Sequence, residues 1–116
     1  MRIIVLGATG MLGYEVFRIC LQRKIDVHGI VRNKHKIIER LGTEAGEYLH
    51  VIEDIKNIDA VEKIIADVKP ACIINCIGIV KQSSLSEDYY ESVAINSFFP
   101  HQLAKLCGIY HCQLFI

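Results

Sequence analysis

Short apolar runs alternate along the chain with longer stretches in which apolar residues recur at helical spacing. Arg2–Leu6 is continuously apolar after its first residue, as a strand covered on both faces must be, and it breaks at Gly7. From Met11 to about Arg23, Leu12, Val16, Ile19 and Cys20 follow the i, i+4, i+7, i+8 pattern of a helix lying on a sheet. Val27–Val31 reads as a second strand, and Asn33 is placed to cap a short helix that runs through Leu41 and ends at Gly42. Tyr48–Ile52 is the third strand. Asn57 then caps a helix with apolar positions at Ile58, Val61, Ile64, Ile65 and Val68, which Pro70 terminates. Ala71–Ile77 reads as the fourth strand. Ser84 and Glu87 have capping-box spacing for a helix that starts near Leu85, is expected to bend near Pro100 and ends at Cys107 and Gly108. Gln113–Ile116 opens a fifth strand.

Strands alternating with helices of this length specify βαβ units and a parallel sheet. Right-handed crossovers favour an α/β, doubly wound sheet of about five strands in the order 3-2-1-4-5. At 116 residues, 52% of them hydrophobic, the chain supplies one core and not two. A mean hydropathy of +0.31 does not imply a membrane, because no apolar run approaches the roughly 18 residues of a spanning helix. Thirteen basic residues balance thirteen acidic ones, so neither nucleic acid nor an anionic membrane is favoured as a partner. No secretory signal pattern precedes the first strand. Five cysteines, Cys20, Cys72, Cys76, Cys107 and Cys112, form neither a disulfide framework nor a C-x-x-C zinc pair, which fits a reducing cytoplasm and packing roles. His28, His35, His50, His101 and His111 likewise lack the spacing of metal ligands.

The most informative segment is Gly7-Ala8-Thr9-Gly10-Met11-Leu12-Gly13, set between the first strand and the first helix. Glycines there permit a tight turn, close approach of backbone to a pyrophosphate, and tight packing of helix on strand. The helix N-terminus adds unpaired N–H groups and a partial positive charge for the anion.

The G-x-x-G-x-x-G spacing resembles that of the extended short-chain dehydrogenase/reductase family, Rossmann-like enzymes that act mainly on nucleotide-linked sugars. Other segments agree with the resemblance. Asp54-Ile55, just after the third strand, matches the acidic-apolar pair that contacts adenine in that family. Asn75-Cys76-Ile77-Gly78 stands where the family has its N-A-A-[AG] segment, and Asn96 with Leu103-Ala104 is similar to the family's helix-four pattern. The likeness is nearest to dTDP-4-dehydrorhamnose reductase and its relatives in surface-polysaccharide synthesis. It implies coenzyme contacts from Gly7, Thr9, Gly10, Met11, Leu12, Gly13, Asp54, Ile55, Asn75, Cys76, Ile77, Gly78 and Asn96, with Asn96 also as a support for the active site. It implies a nucleotide-linked sugar as substrate.

At the end of the second strand, an NAD-selective site usually supplies a carboxylate for the ribose 2′-hydroxyl. Here Arg32 stands in that place, with Asn33 and Lys34 following. A guanidinium pairs bidentately with a 2′-phosphate, so NADP(H) is preferred, with NAD(H) as the alternative coenzyme. Asp26 lies nearer the nominal spacing but precedes the strand, at the wrong end of the sheet.

Resemblance also implies a Y-x-x-x-K pair, in which the lysine favours phenolate. The residues four after Tyr14, Tyr48, Tyr89, Tyr90 and Tyr110 are Arg18, Ile52, Val93, Ala94 and Leu114, so the pair is not present. The family's catalytic Ser/Thr follows the fifth strand. The chain is therefore expected to be a C-terminally incomplete, N-terminal coenzyme-binding fragment, residues 1–116, of a longer enzyme. An epimerase or dehydratase and a non-catalytic NADP(H)-binding regulatory subunit are the alternatives to a carbonyl reductase. An incomplete apolar edge at the fifth strand would invite homo-oligomerisation. The loop Ile79–Ser86 is expected to border the nicotinamide, with Ser83, Ser84 and Ser86 serving as loop and cap and not as nucleophiles. Tyr14 is expected on the helix surface.

Overall fold

In a computed structural model of the chain, residues 1–78 and 89–116 are described. Five parallel strands, β1 (Arg2–Leu6), β2 (Asp26–Val31), β3 (Leu49–Val51), β4 (Cys72–Asn75) and β5 (Gln113–Phe115), form one sheet in the order β3-β2-β1-β4-β5. Between them run α1 (Met11–Gln22), α2 (His35–Leu41), a 3₁₀ turn (Thr43–Tyr48), α3 (Ile58–Val68), α4 (Tyr89–Val93), a π-helical turn (Ala94–Phe98) and α5 (Phe99–Ile109).

Because side chains alternate across a strand, the apolar run of β1 splits into two cores. Ile3 and Val5 pack with Phe17 and Cys20 of α1, Ile37 of α2 and Val27 of β2. Ile4 and Leu6 face the other way, against Val61 and Ile65 of α3 and Phe99 and Leu103 of α5. The sheet is thus covered on both faces, with the helices that precede β3 on one side and those that follow it on the other.

Several boundaries differ from those expected. β4 stops at Asn75 instead of Ile77, because β1 turns away at Gly7; the last ladder bond runs from Cys76 N to Leu6 O (2.9 Å). Asn33 is not itself the residue flanking α2, which is Lys34, but its Oδ1 accepts from His35 N at 2.8 Å and so braces the same helix start. Asn57 does cap α3, accepting from Ala60 N at 3.3 Å. α5 passes through Gly108 and ends two residues beyond Cys107: His111 takes the left-handed conformation (φ 57°), and Cys112 N donates back to Cys107 O at 3.0 Å. That is a Schellman closure without glycine. α1 ends the same way at Lys24 (φ 58°), with Ile25 N donating to Cys20 O at 2.9 Å. The irregularity near Pro100 is a π turn just before it, closed by Phe99 N donating to Ala94 O. Pro100, lacking an N–H, sits in the first turn of α5, where none is needed. The expected helix start at Ser84, Leu85 and Glu87 lies outside the described residues.

Asp26 opens β2 and pairs with Arg2 at 2.8 Å, at the end of the sheet away from the glycine turn. Arg2 also donates to Val68 O at 2.7 Å, which ties the end of α3 beneath β1. All five cysteines are free thiols; Cys20, Cys72 and Cys107 are buried. β5 is an outer strand, and among the described residues none pairs with its far edge. No described helix is long and apolar enough to cross a membrane.

Candidate coenzyme cleft

At the C-terminal ends of β1, β2, β3 and β4 lies a cleft of about 570 Å³. The size suits a small-molecule ligand. Its place is dictated by topology. β1 is flanked by β2 and β4, whose connecting helices lie on opposite faces of the sheet, so the chain diverges above β1 and leaves a crevice there.

The floor is the Gly7–Gly13 turn, and its three glycines are required for different reasons. Gly7 has φ +80°, and a Cβ there would lie 3.0 Å from Ile77 Cγ1 and 3.1 Å from the Cys76 carbonyl group. Gly13 is buried in the first turn of α1, where a Cβ would come within 2.0 Å of Gly7 O. Helix and turn therefore touch backbone to backbone. Gly10 differs: it is extended (φ −74°, ψ 170°), and a Cβ there would meet only Gly7 O, at 3.4 Å. Its missing side chain serves no internal packing and leaves open the space above the turn, where Gly7, Thr9 and Gly10 line the cleft. No side chain caps α1, and the first intrahelical bond is Tyr14 N to Gly10 O (2.8 Å). The N–H groups of Met11, Leu12 and Gly13 are thus left without intrahelical acceptors at the mouth.

One wall comes from β2 and β3: Ile30, Val31 and Arg32, then Ile52, Glu53, Asp54 and Ile55. Asp54 is shaped by its own loop, its Oδ1 accepting from Lys56 N at 3.0 Å. The opposite wall is Cys76, Ile77 and Gly78 after β4, with Glu91 of α4 and Ile95 of the π turn. Lys56 links the two walls through an ion pair to Glu91 at 2.8 Å. Burial pushes the Cys76 thiol pKa up, so it lines the cleft as a neutral group.

The structure therefore brings together Gly7, Thr9, Gly10, Arg32, Asp54, Ile55, Cys76, Ile77 and Gly78. Other residues expected at the coenzyme are not among those that line the cleft. Met11 and Leu12 are exposed at the helix start, and Gly13 is beneath the turn. The Asn33 amide oxygen is bonded to His35 N, and the Lys34 ammonium reaches Gly46 O (3.3 Å), so neither lines the cleft. Asn75 is buried and its Oδ1 accepts from Ile77 N at 3.0 Å, which shapes the wall from behind. Asn96 sits on the π turn, its Oδ1 3.5 Å from where a Cβ of Gly78 would be. Tyr14 is half-buried: one side packs against the α1-side core, with the Arg40 guanidinium 5.1 Å from its ring centre. Ile30, Val31, Ile52, Glu53, Glu91 and Ile95 were not anticipated. The strand ends among them were legible as the last residues before each loop, whereas Glu91 and Ile95 reach the cleft through long-range packing that local pattern does not encode. The loop Ile79–Ser86 and its serines lie outside the described residues.

The family model for the RmlD substrate binding domain matches residues 1–115. The chain belongs to this family. RmlD-family membership places it among extended short-chain dehydrogenases/reductases. Among curated proteins, no sequence matches it. Solved structures share its fold: the UDP-glucose 4-epimerase of Thermus thermophilus, in complex with NAD, matches at TM-score 0.79 and 19% identity over 98% of this chain and 36% of that one. The dTDP-4-dehydrorhamnose reductase of Bacillus anthracis, in complex with NADP, matches at 0.71 and 20% over 97% and 34%. The Bordetella bronchiseptica enzyme WbmG, in complex with NAD and UDP, matches at 0.76 and 20% over 97% and 35%. This RmlD-family chain thus spans about a third of the length of those structures.

Proposed function

We propose that the chain is the N-terminal, coenzyme-binding part of a nucleotide-sugar oxidoreductase, of the dTDP-4-dehydrorhamnose reductase type, that uses NADP(H). The observation that carries this reading is Gly10: its missing side chain is not needed by the fold, and the space it frees lies in the cleft beside the uncapped N-terminus of α1. A diphosphate fits both the space and the charge of that terminus. Thr9 supplies a hydroxyl on the same floor. Arg32 is exposed on the β2 wall, where its planar fork suits a ribose 2′-phosphate, and Glu53 and Asp54 offer acceptors to an adenine amino group farther along. The apolar lining from Ile52, Ile55, Ile77 and Ile95 suits the faces of flat rings. When bound, NADP(H) supplies the hydride exchanged with a sugar carbonyl; the contribution of this chain is to hold and orient the coenzyme. Nucleotide-linked sugar as the substrate class is supported by membership of the RmlD family and by the UDP complex of a protein with the same fold.

Calorimetric titration of the chain with NADPH and NADH tests the assignment. NADPH is expected to bind at least tenfold more tightly, and Arg32→Glu to erase that preference, since a charge-assisted pair contributes about 1.5–3 kcal/mol. Heat from neither coenzyme with well-folded protein would refute it.

A further inference from the structure

Away from the cleft, two histidines face each other across neighbouring strands. His28 on β2 and His50 on β3 share the α3-side face of the sheet, as Ile30 and Ile52 do two residues later. Nδ1 of His28 and Nε2 of His50 are 3.0 Å apart, and the ring centres 5.2 Å. At that distance one imidazole donates and the other accepts, which requires at least one neutral ring. Nε2 of His28 is 3.5 Å from Asp26, whose carboxylate is held by Arg2. Tyr48 packs edge-on to His28, 6.3 Å between centres. Lys34, after β2, and Asp67, on α3, are the charged groups that act on His50.

Burial lowers the pKa of both rings below the ordinary 6.5. Asp26 opposes that shift at His28, where Arg2 adds to it; His28 and Lys34 add to it at His50, where Asp67 opposes it.

β3 is a three-residue outer strand, joined to β2 through Gly29↔Leu49, Ile30↔His50 and Val31↔Val51. Immediately beyond, Ile52 N donates to Val31 O at 2.9 Å, and the residues from Ile30 to Arg32 and Ile52 to Asp54 form one wall of the cleft. The imidazole pair is therefore a cross-strand fastening directly beneath that wall.

We propose that His28 and His50 form a pH-sensitive clamp that holds β3 to β2 and so sets how firmly the Arg32–Asp54 wall grips its ligand. The effect on coenzyme rests on the NADP(H) assignment above; the clamp itself does not. With both rings neutral, or with one proton shared between them, a hydrogen bond joins the strands. A second proton leaves two cationic donors facing each other with no acceptor. Since the folded rings take up protons less readily than free imidazole, the clamp's contribution is complete above about pH 6.5 and is lost as the pH falls through the lowered values.

Amide hydrogen exchange on the whole chain at about pH 7.5 and about pH 4.5, corrected for intrinsic rates, tests this. Protection at residues 49–52 is expected to fall about tenfold at the lower pH, while that of Val5 and Ile73 in the central strands changes less. His50→Gln keeps a neutral amide against His28 and should lessen the loss; His50→Phe should show low protection at both pH values. Unchanged wild-type protection, or a loss in His50→Gln as large as in the wild type, overturns the clamp. NADH, which has no titrating 2′-phosphate, is the coenzyme probe: its affinity should weaken several-fold at the lower pH in the wild type and less in His50→Gln. pH-independent NADH binding would overturn the link to the cleft. Expected exchange with no NADH or NADPH binding at either pH would uphold the clamp and refute the coenzyme assignment.

Discussion

Gly13 and Gly10 lie three residues apart in one turn and are expected to respond oppositely to the same added methyl. In Gly13→Ala the new Cβ would fall 2.0 Å from Gly7 O and 2.7 Å from Gly7 C. Both are backbone atoms of the turn, so no rotamer change relieves the overlap, and α1 must slide off β1. Phe17 and Cys20, buried on the same helix, would lift with it. Overpacking against a yielding side chain costs about 1–3 kcal/mol, and with backbone on both sides about 3 kcal/mol or more is expected. At about 2.1 cal/mol/K per residue, the 116 residues give an unfolding entropy of about 0.24 kcal/mol/K, so each kcal/mol lowers Tm by about 4 °C and Gly13→Ala should lower it by about 12 °C. Gly10→Ala places its methyl no closer than 3.4 Å to protein, at a φ that alanine accepts. Its stability cost should stay below about 1 kcal/mol, that of a weaker helix cap. Binding should reverse the order: Gly10→Ala blocks the diphosphate and weakens NADPH at least tenfold. Differential scanning calorimetry and coenzyme titration on both variants are the assays. A Tm for Gly13→Ala within a few degrees of the wild type, or a drop for Gly10→Ala as large as that for Gly13→Ala, would refute the division of labour between the two glycines.

Other expectations follow from packing and backbone geometry. Phe17 is completely buried, and Phe17→Ala should cost about 3–5 kcal/mol, read as an earlier denaturation midpoint in urea with an unchanged slope. Lys24 and His111 occupy left-handed backbone at φ 58° and 57°. Lys24→Gly and His111→Gly should each raise stability by about 0.5–1 kcal/mol, a gain of about 2–4 °C in a thermal melt, and a decrease in either would contradict the Schellman assignment. The Lys56–Glu91 pair is solvent-exposed on the lysine side, so Lys56→Met should change stability by less than about 1 kcal/mol in equilibrium unfolding.

The alternation of apolar runs carried the strand order because the inner strands β1, β2 and β4 are buried on both faces, which leaves a pattern that surface chemistry does not dilute. Ile3 to Leu6 and Cys72 to Ile74 are the clearest cases. Functional signal survived where the backbone itself is constrained: Gly7 and Gly13 cannot be other residues without a clash, so the turn was recognisable from its spacing. Long polar side chains were less legible. Lys34 looked like a second cation for the coenzyme, yet its four-carbon stem lets it reach Gly46 O on the 3₁₀ turn, which no local pattern announces. Tyr14 has the spacing of a surface position, but Arg40 of α2 lies against its ring. Where helix ends are concerned, Gly108 suggested a stop, and the chain instead closes α5 at His111 with a hydrogen bond from Cys112.

The two walls of the cleft are stabilised by different means, which bears on how the site would respond to a ligand. The β4 side is fixed internally: Asn75 is buried and clasps Ile77 N, and Cys76 N completes the ladder to β1. Those bonds lie at the centre of the sheet, between strands paired on both edges. The β2–β3 side rests on an outer strand of three residues, with one backbone bond beyond it and the His28–His50 contact below. Local opening is easier where fewer bonds must break together. A dinucleotide spanning the cleft would therefore order the Arg32–Asp54 wall more than the Cys76–Gly78 wall, and the gain in amide protection on NADPH binding should be larger at Val51 and Ile52 than at Cys76 and Ile77. Equal gains on both sides would show that the outer strand is no looser than the centre, and would remove the physical basis for pH control at the histidine pair.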